Sequence, residues 1–349
     1  MRPWSRRPIE ANGNQLLKIL IVKLSSLGDV VHAMPAVQDI RRALPQAQID
    51  WVVERGFASL VRRCDGVGRV IECELRRWRK APLSRQTRGE WRAFRTELQR
   101  EAYDAVIDMQ GLSKSALVAW LARLAPGGRR YALANQTEGS GYEAPTRWVA
   151  HQAIRIEPHI HAVRRARELC ARALGYALPK SEVFGLLARR ERVHPAINAR
   201  SSSTRPCVAL VHGSSRADKQ WPADHWLALA ARLDASGYAV ALLHGTDAEQ
   251  QHSEALARGM KHAVVWPRLA LDDLVDALAG CAGVIGVDSG LSHIAVALDL
   301  PHVQIYNFDT AWRTGPLGRG HQRSVFARPA PEVQAVWQAW LKVCAAGRS

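Results

Sequence analysis

The chain contains one folding pattern twice, once near its beginning and once after its middle. The apolar run Lys18–Lys23 leads through a Ser–Gly turn into helically spaced apolar residues, and a second apolar run follows at Ile49–Val53. Cys207–Val211 likewise leads through a loop into helically spaced apolar residues that begin at Trp226, and a further apolar run follows at Ala239–Leu243. Each segment is a β-α-β unit. Two such units in tandem predict an α/β chain with two Rossmann-like parallel-sheet domains facing across a cleft.

Length and composition agree with two folded domains. The chain has 349 residues, of which 47% are hydrophobic and 23% are charged, and this suits a globular protein with more than one core. A Ser- and Arg-rich linker near residues 190–206 separates the halves. We predict a flexible N-terminal extension over residues 1–17, a basic domain over 18–190, and a second domain over 207–349 with a C-terminal helix that can pack back on the first.

Neither a membrane-spanning nor an exported protein is expected. The most apolar stretch, Ala277–Leu300, is interrupted by Asp288 and His293, whereas a membrane span needs about 18 uninterrupted apolar residues. Residues 1–18 are basic and polar, and they lack the apolar core of a signal peptide. The six cysteines are scattered and form no C-x-x-C pair, which predicts reduced thiols in a cytoplasm, without a zinc site or a disulfide framework.

The net charge of +16 is divided unevenly along the chain. Residues 1–190 hold 33 lysines and arginines against 18 acidic residues, which leaves +15, whereas residues 191–349 hold 15 against 14, which leaves +1. The first half is therefore expected to meet a polyanion, such as nucleic acid, an anionic membrane surface or a phosphorylated substrate. A merely soluble basic surface is the alternative.

The strongest local signal is the segment Gly283–Leu298. Its apolar strand runs into Asp288-Ser289-Gly290, and a helix that carries His293 follows. Exposed amides at such a helix start bind anions, whereas the Asp288 carboxylate is better suited to sugar hydroxyls. Alternatively, Asp288 caps the helix and His293 is an ordinary helix residue. The chain has no G-x-G-x-x-G or G-x-x-x-x-G-K-[ST] pattern, which disfavours a nicotinamide or P-loop enzyme.

Several motifs in a fixed order resemble the ADP-heptose lipopolysaccharide heptosyltransferases of glycosyltransferase family 9. The D-S-G-x-x-H motif at 288–293 is one of them, and the others are Lys23–His32, Arg76–Lys80, Asp108–Ser115, His161–Val163 and His212–Pro222. The resemblance extends from about Lys18 to past Asp309. The motifs at 76–80, 108–115 and 161–163 are similar to the branch of the family that adds the first heptose.

The resemblance implies a GT-B enzyme with an acceptor domain followed by a donor domain. It implies inverting transfer of L-glycero-D-manno-heptose from ADP-heptose to the inner Kdo of Kdo2-lipid A, in lipopolysaccharide core synthesis of a Gram-negative cell. The enzyme is then expected to be cytoplasmic and peripheral on the anionic inner face of the inner membrane, with no nucleic-acid partner. The anionic acceptor accounts for the basic half, and one nucleotide for the nearly neutral half.

Asp29 is the catalytic residue that the resemblance implies. It follows Gly28 at a predicted helix start, and the matching aspartate of the family is the general base that takes the proton of the acceptor hydroxyl as this attacks the anomeric carbon. A carboxylate is suitable because it accepts the proton late, at an oxocarbenium-like transition state. Simple helix capping is the alternative role.

The donor site is expected in the second half. Lys219 and the hydroxyls of Ser214 and Ser215 fall where the family binds the diphosphate, and a cation with hydroxyl and amide donors stabilises the leaving ADP without a metal or other cofactor. Glu249 follows a strand and a turn, and it is expected to accept both ribose hydroxyls, with Asp247 as its rival. The remaining predicted donor-binding residues are Asp288, Ser289, Gly290 and His293.

The acceptor site is expected to involve a basic segment of the first half. Arg76–Arg95 contains eight basic residues and one acidic residue, with Trp78, Trp91 and Phe94 between them. It is a solvated helix, a nucleic-acid patch, or a flexible flap on lipid phosphates at the membrane surface, and we favour the last. The predicted acceptor-binding residues are Arg76, Arg77, Arg79, Lys80, Gln110 and Lys114.

Other functions stay open as alternatives. A second heptosyltransferase, which acts on a heptosylated core, is disfavoured by the motifs at 76–80 and 161–163. A non-catalytic polyanion-binding or nucleic-acid-binding protein would bind in a salt-sensitive way and lack affinity for an ADP-sugar. A nucleotide-sugar epimerase would not explain the uneven charge. His159 and His161 lack the third ligand that a metal site requires.

Overall fold

The computed structural model of the chain describes residues 16–189, 197, 205–214 and 216–347. It divides into two units, Met1–Leu186 and Leu187–Ser349. The predicted N-terminal extension up to residue 15 and most of the predicted linker lie outside the described residues. The boundary between the units falls a few residues before position 190, where the sequence places the end of the first domain.

The first unit contains a parallel sheet of six strands: β1 (Lys18–Val22), β2 (Gln48–Glu54), β3 (Val67–Cys73), β4 (Tyr103–Asp108), β5 (Leu124–Leu133) and β6 (Gln152–Ile154). Their order across the sheet is β3-β2-β1-β4-β5-β6. Residues Ile19–Val22 of the central strand are fully buried, as in a sheet covered on both faces. The order reverses between β1 and β4, and ligands bind at such a switch point, beyond the carboxyl ends of the strands.

Helices cover both faces of this sheet: α1 (Leu27–Ala43), α2 (Ala58–Val61), α3 (Leu75–Trp78), α4 (Arg85–Leu98), α5 (Ser113–Leu121), α6 (Pro145–Val149) and α7 (Ala162–Leu174). α1 and α7 pack against each other. Between them, the buried Arg167 guanidinium donates hydrogen bonds of 2.6 and 3.2 Å to the Asp39 carboxylate. α4 and α5 share one apolar cluster with Leu20 and Val22 of β1, and right-handed crossovers place them on the face opposite α1.

The aromatic residues of the basic segment belong to the core. Trp78 is 6% exposed and Phe94 is 4% exposed, and their ring centroids lie 5.5 Å apart. Trp91 contacts both rings, at 5.6 and 5.7 Å, and Trp78 Nε1 donates a 2.7 Å hydrogen bond to Glu90. Trp78 and Phe94 pack α3 against α4, so the expectation that these two rings meet a membrane is wrong, whereas Trp91 is only partly buried.

The second unit contains a second parallel sheet: β7 (Cys207–Val211), β8 (Ala239–Leu242), β9 (Ala263–Val265), β10 (Gly283–Val287), β11 (His302–Tyr306) and β12 (Gln322–Phe326). Its order is β12-β11-β10-β7-β8-β9, which is the topology of the first sheet read from the other edge. The switch point lies between β7 and β10. The predicted α/β class with two Rossmann-like parallel sheets is thus confirmed.

The second sheet is covered by α8 (Ala223–Ala235), α9 (Asp247–Arg258), α10 (Leu271–Ala279), α11 (Gly290–Ala297), α12 (Ala311–Thr314) and α13 (Val333–Ala346). The C-terminal helix α13 places Val336, Trp340 and Val343 in the core of this unit. A Cβ on Gly283 would lie 2.5 Å from the Trp340 ring, so a glycine is needed for this close packing. The apolar face of the C-terminal helix is therefore used within the second unit, whereas the sequence left it able to pack on the first.

The helices and the cysteines bear on the expectations of no membrane span and of reduced thiols. Within the described ranges, no helix combines the length and the apolar character that crossing a membrane requires. All six cysteines are free thiols. Burial raises the pKa of the Cys64 thiol to about 12, so this thiol stays protonated and unreactive at neutral pH.

Candidate active site

Asp29 caps α1 and also faces two cationic side chains. It lies in the first turn of α1, and its Oδ2 accepts hydrogen bonds from the backbone N–H and the hydroxyl of Ser26, at 3.2 and 3.0 Å. Its Oδ1 lies 3.5 Å from Lys23 Nζ and 3.6 Å from Arg165 Nη2. The side chain is 36% exposed. One oxygen therefore caps the helix, and the other faces two cations and remains within reach of a substrate.

The charge state of Asp29 follows from these neighbours. Burial alone would raise its pKa, but Lys23, Arg165 and His32 outweigh burial and hold the pKa well below the usual range. Lys23 is itself 4% exposed at its side chain, and burial lowers the pKa of its ammonium. Asp29 is therefore ionised at any physiological pH and can accept a proton, although it is a weaker base than a free carboxylate.

Cationic and polar side chains surround the loop after β1. The Ser25 hydroxyl accepts hydrogen bonds from Arg76 Nη2 at 3.2 Å and from Lys114 Nζ at 3.3 Å. Gln110 Oε1 accepts the backbone N–H groups of Leu24 and Ser25 at 3.2 and 3.1 Å. The loops after β1 and β4 thus meet at the switch point, and three predicted acceptor residues, Arg76, Gln110 and Lys114, lie together there.

Predicted acceptor residues differ in their surroundings. Arg79 lies close enough to Lys114 to lower the pKa of its ammonium, after burial and Arg76, so Arg79 belongs near the same group. Arg77 instead forms ion pairs with Glu74, at 2.7 Å, and with Glu90. Lys80 is exposed after α3. The structure thus groups Arg79 with Lys114, while Arg77 is committed to acidic neighbours.

The sequence did not identify two cations that define the Asp29 site. Lys23 ends the first apolar run, and a lysine in that position is usually a strand-end residue in solvent. Arg165 stands two residues after the quoted motif His161–Val163, and only the fold brings it to Asp29. Arg165 Nη1 also donates a 3.0 Å hydrogen bond to Thr137 Oγ1, so a second loop holds it in place.

In the second unit, Asp288 is the centre of a polar cluster. Its Oδ2 accepts a 2.5 Å hydrogen bond from Lys219 Nζ, and its Oδ1 lies 3.5 Å from His293 Nε2 and accepts a 3.4 Å hydrogen bond from the Thr314 hydroxyl. Burial opposes ionisation, but His293 and Lys219 lower the pKa of Asp288 well below the usual range. Three residues predicted for the donor site are thus in direct contact, and Thr314 is an addition that the sequence did not indicate.

The loop that carries Lys219 is fastened to the sheet by its neighbours. Asn307 Nδ2, which follows β11, donates hydrogen bonds to the carbonyls of Asp218 and Gln220, at 3.1 and 2.9 Å. Trp221 is 3% exposed and donates a 2.8 Å hydrogen bond from Nε1 to the Pro331 carbonyl. Asn307 was not predicted, since an asparagine after a strand has many ordinary roles.

The start of α11 offers donors to an anion. Gly290 is the first helical residue and Ser289 precedes it. Within the described part of the chain, the buried Ser289 hydroxyl oxygen has no hydrogen-bond partner. Free amides, this hydroxyl and the nearby Lys219 ammonium together suit a phosphate group.

Glu249 links the loops after β7 and β8. Its Oε2 accepts the backbone N–H groups of Gly245 and Thr246, at 2.7 and 3.2 Å, and a Cβ on Gly213 would lie 2.9 Å from its Oε1. Glu249 therefore caps α9 with one oxygen and turns the other towards the neighbouring loop. Its rival Asp247 has a side chain that is 94% exposed and lies 3.9 Å from Arg268.

Ser214 and the histidines of the first unit make local contacts. Ser214 lies just after β7, and its hydroxyl accepts a 3.5 Å hydrogen bond from the Arg216 N–H, whereas Ser215 lies outside the described residues. His159 contacts Glu138 at 3.0 Å, and His161 Nδ1 accepts the Val163 N–H at 3.2 Å. Among the residues described, no group of three or more His, Cys, Asp or Glu side chains is arranged to hold a metal ion.

Comparison with known proteins decides the family. The profile of "Glycosyltransferase family 9 (heptosyltransferase)" matches residues 91–336, which is more than half of the chain. The chain belongs to glycosyltransferase family 9. The matched range includes Gln110 and Lys114 of the first unit and every predicted donor-binding residue of the second, whereas Asp29 and Arg76–Lys80 precede it.

Individual members of glycosyltransferase family 9 are similar over most of their length. Lipopolysaccharide heptosyltransferase 1 of Escherichia coli is 40% identical over 291 residues, which are 83% of this chain and 88% of the relative. Lipopolysaccharide heptosyltransferase 2 of the same species is 28% identical over 315 residues, 86% of each chain. The solved structure of E. coli heptosyltransferase WaaC with ADP aligns with a TM-score of 0.79 and 33% identity, and covers 92% of this chain and 98% of that one.

Proposed function

We propose that this chain transfers L-glycero-D-manno-heptose from ADP-heptose to the inner Kdo of Kdo2-lipid A, with inversion at the anomeric carbon. The observation that carries the proposal is the 40% identity to heptosyltransferase 1, against 28% to heptosyltransferase 2, over more than four fifths of the chain. The two polar clusters support it, because each lies at the topological switch point of its own sheet.

In the proposed reaction, the acceptor hydroxyl oxygen bonds to the anomeric carbon of heptose. The bond from that carbon to the β-phosphate oxygen breaks at the same time, its electron pair leaves with ADP, and the hydroxyl proton passes to the Asp29 carboxylate. Asp29 suits the role because it is ionised and partly exposed, with Oδ1 free of backbone contacts in the described residues. Lys23 and Arg165 orient this oxygen and stabilise its charge before the proton arrives.

Residues of the second unit would hold the donor and stabilise the leaving group. Lys219 and the amides at the start of α11 are positive partners for the diphosphate, and Glu249 is placed for the ribose. Asp288 would accept hydrogen bonds from heptose hydroxyls. Its carboxylate does not suit the diphosphate, because the two negative charges repel each other. These donors supply the countercharge that ADP needs, so we propose that transfer proceeds without a metal or other cofactor.

The first unit would meet an acidic acceptor at a membrane surface. Its excess of basic residues gives +15 over residues 1–190, and Arg76, Arg79 and Lys114 stand around the loop before Asp29. These cations suit the carboxylates of Kdo and the phosphates of lipid A. We therefore propose peripheral binding to the anionic cytoplasmic face of the inner membrane.

The test is heptose transfer in vitro with purified protein. Kdo2-lipid A and ADP-heptose are incubated with the protein, and mass spectrometry follows the acceptor while ADP release is measured in parallel. Gain of one heptose, with one ADP released for each, is the expected result. Transfer to a heptosylated core but not to Kdo2-lipid A would instead assign the chain to the second transfer step.

A further inference from the structure

Two tryptophans of the first unit are exposed and belong to helices that pack against each other. Trp120 is 59% exposed and Trp148 is 72% exposed, and every other tryptophan in the described residues is less exposed than these two. Trp120 belongs to α5 and Trp148 to α6, and these helices pack against each other. Leu117, one helical turn before Trp120, is 42% exposed and extends the same apolar surface.

The packing of α5 against the sheet keeps Trp120 exposed. The inward face of α5 is filled by Val118 and Ala119, which lie in the apolar cluster of the sheet, so residues 117 and 120 point outwards. The Arg130 guanidinium donates hydrogen bonds to the carbonyls of Ala119 at 2.7 Å and of Trp120 at 2.9 Å. This side chain fastens the end of α5, and Trp120 is therefore held at the surface on a fixed helix end.

One side of α4 carries arginines and faces the end of α5. Glu90 and Glu97 lie on one side of α4, where they pair with Arg77 and Arg69 of the neighbouring segments. Arg88 and Arg95 lie on the other side of the helix, since they are displaced from the glutamates by about half a turn. The end of α4 meets the end of α5 through a 2.9 Å hydrogen bond from Gln99 Nε2 to the Leu121 carbonyl, so this second side faces α5.

The arginines on that side are available to an outside anion. Arg88, Arg92 and Arg95 are exposed, and no acidic side chain in the described ranges pairs with them. Exposed tryptophans beside unpaired arginines are the combination that anionic lipid headgroups favour, because the indole ring lies at the interface and the guanidinium binds phosphate.

We propose that Leu117, Trp120 and Trp148, flanked by Arg88, Arg92 and Arg95, form the surface with which this chain docks on an anionic lipid bilayer. The proposal deepens the proposed function and rests on it, since it names the part of the first unit that meets the membrane. Trp120 lies about 9 Å along α5 from Lys114, whose ammonium donates to Ser25 in the candidate site. One helix therefore carries both the docking surface and a residue of the acceptor site.

The experiment measures binding to vesicles of phosphatidylcholine with and without phosphatidylglycerol, by sedimentation and by tryptophan fluorescence. We expect the full chain to bind only the vesicles with phosphatidylglycerol, more weakly at high salt, and with a blue shift of its emission. The variant Trp120→Ala/Trp148→Ala is expected to bind about tenfold more weakly and to lose the blue shift. The matched control Phe326→Ala/Leu341→Ala, which removes exposed apolar side chains of the second unit, is expected to bind like the wild type.

Each contrary result has a distinct meaning. Equal vesicle binding by the wild type and the Trp120→Ala/Trp148→Ala variant would overturn the proposal, as would a lack of binding by the wild type. Conversion of a dimer to a monomer by the same variant would also overturn it, because the surface would then bind a second copy. Heptose transfer to acceptor in detergent micelles is measured separately, so failure of the docking surface is distinguished from failure of the proposed reaction.

Discussion

Lys23 Nζ lies 3.5 Å from Asp29 Oδ1, and the lysine is almost fully buried whereas the aspartate is partly exposed. The buried cation stabilises the ionised carboxylate without occupying the open side from which a substrate would approach. Arg165 contributes the second cation from a distant part of the chain. This pairing makes Asp29 the residue on which the proposed reaction depends.

Replacement of Asp29 should remove proton transfer and leave donor binding intact. For Asp29→Asn we expect kcat to fall by about 10²- to 10⁴-fold, the range for loss of a general base. Affinity for ADP, measured by calorimetry, should stay unchanged. The control is Asp65→Asn, which removes another partly exposed carboxylate paired with an arginine in the same unit; wild-type turnover in Asp29→Asn would exclude Asp29 as the base.

The pH profile should reveal the influence of Lys23. Wild-type Asp29 has its pKa held well below the usual range by Lys23 and other cations, against the effect of burial, so it should lose its charge only under strongly acidic conditions. Lys23→Met removes the largest of these opposing charges, and the pKa of Asp29 should rise. The acidic limb of kcat/KM should therefore move to higher pH, while identical limbs in the two proteins would contradict the assignment.

Stability offers a check on the same variant. A carboxylate with a lowered pKa in the folded state contributes stability above its unfolded pKa of about 4 and loses this contribution as pH falls through the folded pKa. Lys23→Met should therefore weaken the contribution of Asp29, but it also removes the cost of burying an ammonium. We expect little loss of thermal stability at pH 7, so a large fall in kcat/KM would report on the reaction and not on folding.

Much of this architecture follows from the sequence. The apolar runs at Lys18–Lys23 and Cys207–Val211 mark the first strand of each sheet because buried parallel strands are continuously apolar. Asp29 and Asp288 follow such strands within a few residues, and that position places a polar side chain at the binding edge. The contact of Arg165 with Asp29 joins residues that are far apart in the chain, and no local sequence pattern predicts such a contact.

The basic segment shows where sequence reasoning failed. Tryptophan among arginines is compatible with both a membrane surface and a buried core, because the ring suits either environment. The structure buries Trp78 at 6% exposure and leaves Trp120 of α5 at 59% exposure. Which side of a helix faces the sheet depends on packing with other elements, so the sequence alone did not show that Trp78 and Phe94 are buried or that Trp120 is exposed.

Lys219 and Asp288 should affect different parts of the donor. Lys219→Met removes a cation for the diphosphate, and we expect ADP affinity to fall about ten- to a hundredfold, the value of a charge-assisted hydrogen bond. Asp288→Asn releases Lys219 from its 2.5 Å contact and should preserve ADP affinity while lowering turnover of ADP-heptose. Lys261→Met, an exposed lysine of the same unit, is the control, and equal effects of Lys219→Met and Asp288→Asn on ADP affinity would refute these roles.

The buried ion pair of the first unit should be a structural requirement. Arg167→Met leaves the Asp39 carboxylate buried without its partner, which should destabilise the protein by about 3–5 kcal/mol. Thermal and urea unfolding measure this loss. Arg167→Met/Asp39→Leu should recover part of the stability because the buried Asp39 charge is removed together with its partner, and a single variant as stable as the wild type would show that the pair contributes little.

The most direct test of the central claim is the mass of Kdo2-lipid A after incubation with the protein and ADP-heptose, in the presence and absence of EDTA. We predict addition of one heptose at the same rate in both, with loss of the product in Asp29→Asn. If intact ADP-heptose and folded wild-type protein leave the acceptor mass unchanged, the chain does not catalyse this transfer.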